Sequence, residues 1–164
     1  MTIFNICKKI LFIVLILIFG LALSCSKAPI EEDLEEKYLS ALMDIMFILN
    51  GSFDKFDQFT SDYTDNKISL SDYKILIKST MRDIELSHTL YLKLKPPKKF
   101  KKVNDLYGKS FEHLLKRNRH LQDFIDTEDS NKMLRYTEQV VNEAELVNKY
   151  NSKITDELGK VIGK

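Results

Sequence analysis

The sequence predicts an all-α protein: an antiparallel up-down-up-down four-helix bundle behind an N-terminal signal helix. Three observations carry this. After residue 30 the helix breakers are confined to Gly51, Gly108, Gly159, Gly163 and the pair Pro96-Pro97, which leaves long uninterrupted segments. Within those segments apolar residues recur at steps of three and four, the spacing of one helical face. Short loops join the segments, and short connections favour antiparallel neighbours.

In chain order, the first element is residues 1–24. Every residue from Ile10 to Leu23 is apolar apart from Gly20, and Lys8 and Lys9 precede the run. A basic start, a run of about 14 apolar residues and a small-residue exit make a secretory signal. A permanent spanning helix is the competing reading, although it wants about 20 apolar residues to cross the ~30 Å hydrocarbon core. In both readings the two lysines hold the N-terminus in the cytoplasm and the rest is exported.

At the end of the run, Leu21-Ala22-Leu23-Ser24-Cys25 resembles the lipobox of bacterial lipoproteins. The resemblance covers the first 25 residues; the usual leucine three places before the cysteine is Ala22 here, between Leu21 and Leu23. It implies that Cys25 receives a diacylglyceryl thioether, that cleavage precedes it, and that it becomes the acylated first residue, with palmitate-type chains. An ordinary signal peptide ending beside a cysteine is the alternative. The only other cysteine, Cys7, lies inside the signal, so a mature chain starting at Cys25 holds no internal disulfide even though export permits one. Two or three acyl chains would anchor stably where one would not. Residues 25–30, with Pro29, read as a lipidated tether, and residues 31–164 as the bundle.

Helix one, about 31–64, carries Leu34, Tyr38, Ala41, Ile45, Ile48, Ser52, Phe56, Phe59 and Tyr63 on one stripe, widened by Leu42, Leu49 and Phe53 to the broad face a bundle core needs. Helix two, about 69–94, opens at Ser69 or Ser71, either of which suits an N-cap. Its stripe is Tyr73, Ile77, Met81, Ile84, His88 and Tyr91. Lys95-Pro96-Pro97 ends it, since a residue before proline avoids the helical region and proline is at ease in a new first turn. Helix three, about 97–126, shows Val103, Tyr107, Phe111, Leu114, Asn118, Leu121 and Ile125. Helix four, about 129–161 and capped by Asp129 or Ser130, runs Met133, Thr137, Val140, Ala144, Val147, Asn151, Ile154, Leu158 and Val161. A three-helix bundle with helix one detached is the alternative, but so aromatic a stripe would not stay solvated. The abundance of Lys, Ile, Asn, Asp and Phe and the "LKPPKKF" connection are similar to those of small helical-bundle lipoproteins of bacteria. That likeness implies a fold and no mechanism.

Charge excludes one class of partner. Without Lys8 and Lys9, the 25 basic residues fall to 23 against 24 acids, a net charge of −1, whereas a dedicated nucleic-acid binder is strongly basic. The charges are nevertheless sorted along the bundle. The end holding the start of helix one should also hold the basic connection with Lys93, Lys95, Lys98, Lys99, Lys101 and Lys102, a patch suited to an anionic membrane surface. The acids Glu31, Glu32, Asp33, Glu35 and Glu36 share that end and could pair with the lysines instead. The opposite end collects Asp62, Asp65, Asp126, Glu128 and Asp129.

Catalytic candidates are few. Glu85 and His88 form one E-x-x-H pair, half of what a di-iron bundle uses. His113 and His120 share a face with Lys109 and Lys116 and read as solvated exterior. Asp126-Thr127-Glu128-Asp129 lacks the glycine turn and distant glutamate of a calcium loop. Asn118 and Asn151 interrupt apolar stripes, as register-setting polar residues do. No serine or cysteine has a plausible base. The expectation is a non-enzymatic, lipid-anchored module at the bacterial cell envelope, with no cofactor, no metal and no nucleic acid, bound to the membrane through its anchor and open to a protein partner. A metal- or small-ligand-binding bundle with a core site near Glu85 and His88 is the alternative.

Overall fold

The computed structural model describes residues 29–162. Helix α1 spans Pro29–Thr64, α2 Leu70–Tyr91, α3 Lys101–Asp126 and α4 Ser130–Ile162, with a 3-10 turn at Lys98–Phe100 leading into α3. The all-α class and the four packed helices agree with the sequence expectation, and no strand occurs among the described residues. The signal segment and Cys25 lie outside those residues. Among them, no helix is long and apolar enough to cross a membrane.

Local chemistry explains the boundaries. The first helix is stopped two residues past Thr64 by Asn66, whose φ of 58° is left-handed. Lys67 N donates to Asp62 O at 2.8 Å and Asn66 N to Tyr63 O at 3.0 Å, the paired bonds of a Schellman cap. Ser69 then caps α2: its Oγ accepts from Asp72 N at 3.1 Å and donates to the Asp72 carboxylate at 2.6 Å. Helix α2 stops at Tyr91, three residues short of the expected end, because Lys93 N and Leu94 N turn back onto Leu90 O and Tyr91 O before the prolines. Asp129 caps α4, accepting from Asn131 N and Lys132 N at 2.9 and 3.2 Å.

Contacts across the helices give their order. Ser52 meets Thr80 and Tyr63 meets Tyr73 between α1 and α2. Asn118 meets Met81 and Asn104 meets Tyr91 between α3 and α2. Lys102 meets Glu157, Ser110 meets Asn151 and His113 meets Glu143 between α3 and α4. In each pair one number falls as the other rises. Between α1 and α3 both rise together, from Tyr38 against Asn104 to Phe56 against Arg117.

The core has two parts. A lower cluster joins Tyr38, Leu42, Ile45 and Leu49 of α1 to Ile84 and Tyr91 of α2, Phe100 to Leu114 around α3, and Val147, Ile154 and Leu158 of α4. A smaller upper cluster holds Tyr73, Ile77 and Met81 with Leu121 and Ile125. Each fully buried aliphatic or aromatic side chain contributes about 1.5–3 kcal/mol. Ser52, Thr80, Arg117 and Asn118 are also buried, and they sit at the height where the two clusters meet.

The stripe on α3 is buried at every expected position. Elsewhere the faces shift. On α1 the buried line is Tyr38, Leu42, Ile45, Leu49 and Ser52, while Ala41 and Ile48 move to its flank, so Leu42 and Leu49 are central rather than peripheral. On α4 only Val147, Ile154 and Leu158 are buried, and Thr137 is exposed. The upper half of α4 is amphipathic in sequence, yet no described residue before Val147 is buried.

Candidate functional site

The charged end of the bundle is assembled from three elements. Phe100, in the 3-10 turn, is buried against the Tyr38 ring at 5.4 Å between centroids. That contact seats the basic connection on the first turns of α1. Tyr38 Oη donates to Asn104 Oδ1 at 3.2 Å, and Tyr91 Oη donates to Asn104 O at 2.7 Å while accepting from Asn104 Nδ2 at 3.1 Å. Asn104 therefore ties α1, α2 and α3 together just above the lysines. Burial pushes the Tyr38 and Tyr91 hydroxyls above their ordinary pKa.

The six lysines divide into two groups. Lys99 is paired with Glu35 of α1, and its ammonium also lies 5.2 Å from the Phe100 ring centre. Lys101 pairs with Asp105 at 2.8 Å along the same helix, and Lys102 with Glu157 of α4 at 2.8 Å. Glu157 also accepts from Lys160, and the hydrogen bonds from Lys102 and Lys160 hold its carboxyl below the usual range. Lys93, Lys95 and Lys98 are exposed, with no ion-pair partner among the described residues. Acids of α1, α3 and α4 thus take Lys99, Lys101 and Lys102, as the pairing reading of this end expects for part of the patch.

The residues named for the alternative site are not brought together. Glu85 is exposed, whereas His88 leans inward with its ring 5.4 Å from Phe111 and 6.3 Å from Tyr91. Asn118 is buried and donates to Met81 O at 3.1 Å. Among the described residues no group of three or more His, Cys, Asp or Glu side chains could hold a metal ion.

Two features escape the sequence reading. His113 turns toward α4, and His120 is partly buried, neither being solvated exterior. His113 Nδ1 lies 2.6 Å from a Glu143 oxygen and its ring stacks on Tyr150 at 5.4 Å, while His120 Nδ1 is buried without a partner among the described residues. The other is Arg117, only 4% exposed, whose guanidinium sits 4.4 Å from the centre of the Phe56 ring. Burial pulls its pKa down to about 10, and the charge of Asp57 opposes that pull. Its spacing carried a signal: Arg117 stands three residues after Leu114 and four before Leu121, on the same stripe as Asn118.

Of the apolar residues beside the stripes, Leu39, Leu90 and Phe124 pack on the core and Leu86 is exposed. Among the described residues the most exposed large apolar side chain is instead Phe47, at 81%. Comparison with known proteins returns no match: no family model, no curated protein and no solved structure aligns with this chain.

Proposed function

We propose that the chain is a lipid-anchored, extracytoplasmic helical-bundle protein of the bacterial cell envelope, acting as a non-enzymatic binding or interaction module. The sequence around Cys25 supports the anchor. The orientation is supported by one observation above all: the turn of α1 that holds Glu35 and Tyr38 contacts the basic connection. Cys25 stands four positions before Pro29, the first residue of α1, and four extended residues reach at most about 14 Å. An acyl group on that cysteine would thus tether the basic end close to the bilayer surface. The free-standing basic loop beside the start of α1 is what supports a binding role.

The test is the Cys25→Ala variant of the full chain, expressed in a bacterium that processes lipoproteins and fed a labelled fatty acid. The native chain should carry label and stay with the membrane fraction. The variant should lose the label and either retain its leader or leave the membrane. Equal label on both chains would refute the assignment.

A further inference from the structure

The basic end carries more than charge. Leu92, which follows the last residue of α2, is 66% exposed, and Leu34, one turn before the buried Tyr38, is 55% exposed. Leu94, two residues on, packs against the lower core, so Leu92 is the outward-facing leucine of that loop. Around it stand Lys93, Lys95 and Lys98, exposed and without an ion-pair partner among the described residues. The nearby acids whose partners are resolved are engaged elsewhere: Asp33 with Lys37, Glu35 with Lys99, and Glu157 with Lys102 and Lys160. A single exposed leucine calls for no explanation. Two of them at the same tip as three cations without an ion-pair partner among the described residues form a different pattern, apolar side chains for the headgroup–acyl boundary beside ammonium groups for the phosphates.

The geometry points to this tip as a docking surface for anionic phospholipid. Lys93, Lys95 and Lys98 contact headgroup phosphates, and Leu92 and Leu34 enter the boundary beneath them. Lys99, Lys101 and Lys102 stay in their intramolecular pairs and hold the tip in shape. This rests on the anchored reading above, because the short link from Cys25 to α1 is what presents this end to a bilayer. A soluble anion would meet only the lysines, whereas a bilayer also covers the leucines; the combination favours the membrane.

The experiment uses the full chain reconstituted in vesicles of phosphatidylcholine alone or of phosphatidylcholine mixed with phosphatidylglycerol. A membrane-impermeant amine-acylating reagent is added, and the rate at each lysine is read by peptide mass spectrometry. Acylation of Lys93, Lys95 and Lys98 is expected to slow by about fivefold or more with phosphatidylglycerol, the size of one lysine's attraction to an anionic leaflet. Lys67 and Lys132, at the opposite end, should react at the same rate in both. Equal rates at the three loop lysines in the two vesicles overturn the proposal. So does the same slowing when soluble glycerol phosphate replaces the anionic lipid, which would mark a free-phosphate site. Running Cys25→Ala in parallel separates the two claims. If it stays attached and the selective slowing persists, the anchor fails and the docking surface stands; if it is released while the native chain shows no slowing, the reverse holds.

Discussion

Arg117 shows how a single residue can be costly and still structural. A guanidinium in the core forfeits hydration, and its lowered pKa records that cost. The ring of Phe56 and the charge of Asp57 offset part of it, and its alkyl stem fills space between α1 and α3. Removing the whole side chain loses the packing and leaves a void. Replacing it with an apolar chain of similar length keeps the packing and removes the desolvation cost, which often leaves stability little changed. Arg117→Ala should therefore lower unfolding stability by about 2–3 kcal/mol in urea titration, and Arg117→Met by less than about 1 kcal/mol. Equal losses would show that the charge, not the volume, holds this part of the core.

At the scale of elements, the connections carry the information that sets helix ends. Asn66 occupies the left-handed position of the α1 cap, where asparagine and glycine are at ease and a β-branched residue is not. Lys67, next in the cap, has its ammonium 3.4 Å from Asp62 and 2.9 Å from Asp65, so an ion pair stands where such caps usually place an apolar contact. Asn66→Gly should change stability by less than about 0.5 kcal/mol, and Asn66→Val should cost about 1–2 kcal/mol. Thermal unfolding of the two variants checks this, and a neutral valine would mean that the turn has another conformation. The long α4 raises a separate point. Its lower half is clamped by Val147, Ile154 and Leu158, while Leu134 and Val141 in its upper half are exposed. The apolar repeat continues through both halves, so periodicity alone would assign them the same environment.

For the whole molecule, buried tyrosines couple stability to alkaline pH. Burial raises the hydroxyls of Tyr38, Tyr91 and Tyr107 above their ordinary value of 10.0. A group whose folded pKa is raised contributes stability that is whole below its unfolded pKa and is lost as pH climbs toward the folded value. The three therefore begin to favour unfolding above about pH 10. Arg117 has the opposite sign: its folded value of about 10 lies below the ordinary guanidinium value, so its penalty is present below about pH 10 and is relieved as pH rises above that. With three groups against one, helix loss should set in above pH 10, accompanied by a cooperative rise in tyrosinate absorbance. Tyr107→Phe should move that midpoint upward. Tyrosinate forming at ordinary pKa ahead of any loss of helix would contradict the burial assigned to these side chains.

Sequence alone determined that the described chain is helical, where its four helices lie and, for α3, which residues face inward. Those properties are local: glycine and proline interrupt, serine and aspartate cap, and a period of 3.6 marks a face. Tertiary structure alone decided which lysines are neutralised, that Arg117 is buried while Glu85 is not, that His113 meets Glu143, and that the upper part of α4 is covered only in part. Periodicity reports that a helix has an apolar face but not how wide the facing surface is. Charge pairing depends on distances between residues such as Glu35 and Lys99, far apart in the chain and adjacent only after the helices pack.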